Sequence, residues 1–293
     1  MSPMEVTRSF FAQDGTQIGY FGPQIPKANA PSVLLLHGMA SNATRWSEFV
    51  SHTHLHESCN VYRMDLRGRQ NSLFLGRYKR ADWLQDINDF IKHESISKLL
   101  FIGHSMGAQV AQDFACTFPA ICQGIILIDP VFPSNLHGQL KLVKRFKWLA
   151  WAMLQLVLLF TYLGLHRRHY RHRDLYQLDV DTRATLAANP QLSISDLYMS
   201  PTADLEYISL SSYLQDLLSV VAPICPQKDV LCPVRVLLSS GASVSNYQEN
   251  LSSIELFPDH KIDLIDADHW LLTERPEQAR LALESCVREI TNT

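Results

Sequence analysis

Gly103-His104-Ser105-Met106-Gly107 is a G-x-S-x-G pentapeptide, set directly after the apolar run LLFI and directly before the helix-like run AQVAQDFA. That order has a chemical meaning. A serine on a sharp strand-to-helix turn stands clear of the sheet with the first helical turn beneath it, and becomes a nucleophile once a base takes its proton. The glycines on either side let the backbone close tightly around the turn. An unassisted hydroxyl is a poor nucleophile at neutral pH, so the chain must also supply a base, and 12 histidines compete for that role.

The elements that must position these residues are legible as runs. VTRSFFAQ and TQIGYFGP alternate on either side of Asp14-Gly15, which predicts an antiparallel hairpin. PSVLLLHGM is a short continuous apolar run, as expected of a strand buried on both faces. NVYRMD, KLLFIGH, GIILIDP, PVRVLLSS and KIDLID repeat the pattern, with helical segments such as ADWLQDINDFIKH between the earlier ones. Strands alternating with helices predict an α/β fold: a mostly parallel sheet of about eight strands, the first pair antiparallel, with helices on both faces.

With these elements in place the chain resembles the α/β-hydrolases over residues 7 to 290. Besides the elbow at Ser105 it has LLLHGM at the end of the third strand, DLRGRQNS after the fourth and DHWLLTERPEQ near the C-terminus, all in family order. The second of these departs from the usual pattern at Gln70, where a glycine commonly sits; that loop reads as structural. The resemblance implies that His269 is the base, because it follows the last strand and precedes a terminal helix beginning near Thr273. It implies an oxyanion hole built from the backbone N–H groups of Met39 and Met106, whose side chains would help line an acyl pocket. It also puts His37, Gly38 and His104 beside the substrate, the two histidines holding loops rather than transferring protons.

The acid is where the sequence departs from the family. Its usual place is just beyond the seventh strand, where this chain has Ser239, Ser240, Gly241, Ala242 and Ser243 and no carboxylate before Glu249. A carboxylate fixes the histidine tautomer and stabilises the imidazolium, so another strand end must supply it. Asp129 stands at the end of the sixth strand, a location some members of the fold use, and is expected to replace the missing acid. Asp266 and Asp268 are neighbours of His269 in sequence, but a residue on the same short loop rarely reaches back to its ring.

The strand rhythm breaks once, between Asp129 and Pro233, where the connection is several times the usual length. The expected organisation is a hydrolase core over 1–133 and 223–293 with a helical cap at 134–222. Inside the gap lies WLAWAMLQLVLLFTYLGL, residues 148–165, which carries no charge and by length is a candidate membrane span. A single crossing would separate Ser105 from His269 across the bilayer, so the stretch is expected in the cap, with Trp148 and Trp151 facing substrate. TADLEYISLSSYLQDLLSVV should then return the chain to the sheet as helix.

Composition sets the remaining expectations. The chain has 293 residues, 46% hydrophobic and 19% charged, which suits a globular domain. Its net charge of −3 conceals an asymmetry: residues 141–173 hold eight Lys or Arg and no acid, leaving 18 basic against 29 acidic residues elsewhere. The apolar middle of that segment suits an anionic membrane surface contacted peripherally rather than nucleic acid. Six cysteines without a C-x-x-C pair read as free thiols in a reducing compartment. The start, MSPMEVTRSFFAQDG, has charges and turn residues where a secretory signal needs an apolar run, which points to the cytoplasm. No metal or organic cofactor is implied. The expected activity is cleavage of carboxylic esters of acyl or lipid-like substrates through an acyl-enzyme. A thioesterase, an acyltransferase, a C–C bond hydrolase or a non-catalytic ligand-binding protein are the alternatives on the same residues.

Overall fold

The computed structural model describes residues 5–198, 200–241 and 246–292. Residues 1–4, and Ala242 and Ser243 of the loop where the acid is usually found, lie outside them. β1 (Glu5–Phe11) and β2 (Gln17–Pro23) pair antiparallel around Asp14-Gly15, whose glycine takes the positive φ that the turn requires. β3 (Ser32–Leu36), β4 (Asn60–Met64), β5 (Leu99–His104), β6 (Cys122–Ile128), β7 (Val234–Ser239) and β8 (His260–Ile265) follow. The sheet order is β1-β2-β4-β3-β5-β6-β7-β8, and from β4 to β8 neighbouring strands run parallel. The continuous apolar runs are explained by position: β3, β4, β5 and β7 are buried at every residue, while β8, at the edge, keeps polar and exposed positions.

Helices cover both faces. In chain order they are α1 (Ser47–His52), α2 (Arg80–His93), α3 (Met106–Thr117), α4 (Gly138–Arg145), α5 (Lys147–Tyr162), α6 (Leu175–Ala188), α7 (Ile194–Tyr198), α8 (Pro201–Asp204), α9 (Leu210–Val220), α10 (Tyr247–Ile254), α11 (Leu271–Glu274) and α12 (Pro276–Thr291). Trp83, Phe90 and Phe114 from α2 and α3 fill one core, and Phe49, Leu271, Leu283 and Val287 from α1, α11 and α12 fill the other. The returning segment is helical in two pieces, α8 and α9, because Ser209 accepts from the Ser212 N–H and starts α9 afresh.

Helices α4 to α9 all fall between β6 and β7. Buried ion pairs tie them to the core: Arg69 with Asp216 of α9, and Arg45 with Asp179 of α6, the same arginine also donating to Thr273 Oγ1 at 2.9 Å. Breaking such a pair strands a charge away from water, so it holds geometry well whatever its net stabilisation. The apolar stretch becomes α5, of 16 residues. It stops because Gly164 turns left-handed, so that its N–H and that of Leu165 fold back onto the Thr161 and Phe160 carbonyls. Among the described residues no helix is long and apolar enough to cross a membrane.

The expectation of six free thiols is corrected. Cys116 and Cys225 form a disulfide that joins the last turn of α3 to the segment entering β7. Their separation of 109 residues hides the pairing from any local pattern. The argument from cysteines to a reducing compartment accordingly loses its footing.

Candidate active site

The parallel register puts the C-terminal ends of β3, β5, β6, β7 and β8 on one rim, and the loops leaving them build the site. At the end of β5, Ser105 is held at φ 54° and ψ −112°, a region that L-residues seldom occupy and that marks a strained elbow. The glycines around it are needed for close approach. A Cβ on Gly107 would stand 2.4 Å from the Leu36 carbonyl oxygen, and one on Gly103 would stand 2.4 Å from that of Gly107. Gly107→Ala must therefore push α3 off β3. It is expected to cost about 2 kcal/mol, the scale of overpacking a filled site, readable as a fall of several degrees in the melting temperature.

Ser105 Oγ lies 3.0 Å from His269 Nε2, and His269 Nδ1 donates to the Asp129 carboxylate. Asp129 is fully buried, with its other oxygen taken by Ser239: the Ser239 N–H at 3.1 Å and its hydroxyl at 2.6 Å both donate to Oδ1. The residue occupying the family's acid position thus grips the carboxylate offered by the neighbouring strand. The Asp268 backbone N–H is shared by both Glu274 carboxylate oxygens at 3.1 Å.

Gly38 stands against the nucleophile, since a Cβ built there would be 3.4 Å from that of Ser105. The loop carrying Met39 is therefore beside Ser105, and Met106 opens α3. The N–H groups of a helix's first turn have no acceptor within the helix, and the helix end adds a positive partial charge. The Met106 side chain, by contrast, is buried in the core and lines no acyl pocket.

His37 and His104 act as the loop holders expected of them, and the expectation that they also contact substrate is corrected for His37. His37 is wholly buried; Nδ1 donates to the Gly38 carbonyl at 2.9 Å and Nε2 accepts from the Leu66 N–H at 3.1 Å, which leaves neither ring nitrogen for a ligand. His104 Nε2 donates to the His269 carbonyl at 3.0 Å and its ring packs against the His269 ring. Burial holds both imidazoles neutral, with pKa values lowered to about 3. Trp148 and Trp151 are likewise corrected: both lie on the outer face of α5, more than half exposed. Hydrophobicity alone could not tell an inward from an outward face on a helix that is apolar nearly all round.

The two buried imidazoles make stability pH-dependent. An unfolded chain would protonate them near pH 6.5, whereas the folded chain refuses those protons until about pH 3. Stability is thus present above the unfolded value and is lost as pH falls. Asp86, raised by burial to about 6, works in the opposite sense between pH 6 and its unfolded value and offsets part of the loss. A net fall of about 2 kcal/mol from pH 7 to pH 5 is expected in urea unfolding; equal stability at the two pH values would contradict the buried neutral histidines.

The profile of the alpha/beta hydrolase family matches residues 33–280. An uncharacterized protein of Mycobacterium tuberculosis is 31% identical over 102 residues, 34% of this chain and 29% of that protein, so the match spans under a third of the relative's length. Among solved structures, a hydrolase from Pseudomonas aeruginosa superimposes with a TM-score of 0.69 at 16% identity, over 96% of this chain and 98% of the other. A thermophilic esterase from Thermogutta terrifontis gives 0.63 at 19% identity, over 98% and 99%. At such identities the likeness establishes the fold. The family profile, spanning most of the chain and including the elbow, the Asp129 strand end and the His269 loop, means that this protein belongs to the alpha/beta hydrolase family.

Proposed function

We propose that the protein is a serine hydrolase of carboxylic esters that works through an acyl-enzyme. The observation that carries this reading is the hydrogen-bonded line from Ser105 Oγ through both nitrogens of His269 to Asp129. Ser105 Oγ attacks the ester carbonyl carbon while His269 Nε2 takes its proton; the N–H groups of Met39 and Met106 receive the negative charge that develops on the carbonyl oxygen. His269 then protonates the departing alcohol, and water, activated by the same imidazole, releases the acid. Asp129 keeps His269 in the tautomer with its proton on Nδ1 and balances the imidazolium. A purely ligand-binding role fits less well, since it gives no reason to keep a buried carboxylate aligned behind that ring.

A fluorophosphonate probe tests the reading, because it reacts with an activated serine. One equivalent of adduct is expected, mapped by mass to the peptide carrying Ser105, together with turnover of a panel of nitrophenyl esters of increasing acyl length. No adduct, or an adduct on another serine, would remove the proposal.

A further inference from the structure

A surface helix of a globular protein usually buries one apolar stripe and turns charged residues to water. α5 does not. Of its residues only Leu154 is buried, and the positions turned outward are again apolar, among them Trp148, Leu149, Trp151, Leu156, Leu159 and Tyr162. Leu163 and Leu165 extend this exposed apolar surface past the helix end.

Charge surrounds it with one sign. Eight Lys or Arg and no acid occupy residues 141–173. Among the described residues two of these are in ion pairs, Arg171 with Glu206 and Arg173 with Asp204; the other six bracket α5 from both ends. Aromatic side chains at the ends of an apolar element, with cations just outside it, match the layering of a lipid interface.

Two cavities share Tyr170 as a wall, and the larger lies behind the C-terminal half of α5. One, of about 300 Å³, is lined mainly by apolar groups such as Leu75, Val157, Phe160, Leu205 and Ile208. The other, of about 180 Å³, is lined by Arg168, His169, Arg171 and His172 together with Gln70. An apolar slot beside a cationic one is complementary to a single molecule bearing a hydrocarbon chain and a phosphate.

We infer that α5 and the basic segment after it form a docking face for an anionic phospholipid bilayer, with one lipid's chain in the apolar cavity and its phosphate in the basic one. A helix of 16 residues rises about 24 Å, short of a bilayer core, so it lies in the interface plane with its outer face among the acyl chains. None of the residues of this face belongs to the line from Ser105 to Asp129.

Vesicle co-sedimentation at low salt, with tryptophan emission recorded in parallel, tests this. Full-length protein is expected to bind vesicles containing about one third phosphatidylserine at least tenfold more tightly than pure phosphatidylcholine, the preference shrinking in high salt. Emission should shift to the blue, since Trp148 and Trp151 are exposed while Trp46 and Trp83 are buried. Trp151→Glu combined with Leu159→Glu, at positions 53% and 52% exposed, should abolish binding to both vesicle types with the far-ultraviolet circular dichroism unchanged. Lys147→Glu with Arg168→Glu should erase the anionic preference by about tenfold, and Ser105→Ala should bind as the parent does. No sedimentation with anionic vesicles overturns the inference. So does sedimentation that survives the Trp151 and Leu159 changes, or a lipid-free dimer that those changes dissociate, which would make a second copy the occupant.

Discussion

Ser105→Ala is expected to lower kcat for a nitrophenyl ester by about a million-fold, the scale seen when a serine nucleophile is removed from a relay that acts as a unit. Under the proposed mechanism the loss is this large because the three side chains act in one step: without the Ser105 oxygen, the His269 nitrogen 3.0 Å away has no hydroxyl proton to take. What remains is the contribution of the oxyanion donors and of substrate positioning, with water as the nucleophile. The change deletes one partly buried hydroxyl and leaves the elbow backbone in place, so melting should move little. Stopped assays on the variant, purified away from any parent enzyme, check it; a drop of only tenfold would mean that another nucleophile does the work.

Asp129→Asn carries the second largest effect, a fall of about four orders of magnitude in kcat with KM little changed. An amide at this position presents either an oxygen without charge or an N–H donor to His269 Nδ1. In the second case the imidazole is driven to the tautomer with its proton on Nε2, the wrong nitrogen to accept from Ser105. Ser239 reinforces the penalty, because both its donors point at the other oxygen and orient the group rigidly. Asp268→Asn serves as the control and should retain near-parental turnover, because the carboxylate bonded to His269 Nδ1 is that of Asp129. Equal losses in the two variants would argue that the whole loop, and not one carboxylate, supports the reaction.

The parts of the site that the sequence displays are those coded over a few consecutive residues. The strand, turn and helix around Ser105 are contiguous, and so is the passage from β8 to α11 that presents His269. The runs that became β3, β5, β6 and β7 are mostly apolar because both faces of each are covered, and that property is visible without knowing what covers them. Ser239 could have been singled out only by asking what a serine in the acid's usual place would do for a carboxylate one strand over. The bonding partners of His37 and His104 were beyond reach in that way, since an imidazole next to a glycine turn suggests a loop-holding role without showing which backbone groups it bonds.

By itself, then, the sequence determined the order of strands and helices, the elbow and the C-terminal histidine, because periodicity and turn chemistry are properties of neighbours along the chain. Tertiary structure decided which carboxylate meets His269, 140 residues away from Asp129. It also decided that Cys116 joins Cys225 across 109 residues, and that Trp148 and Trp151 turn outward. Those outcomes depend on strand order in the sheet and on how inserted helices settle over its rim, distances set by packing of remote segments and carried by no local pattern.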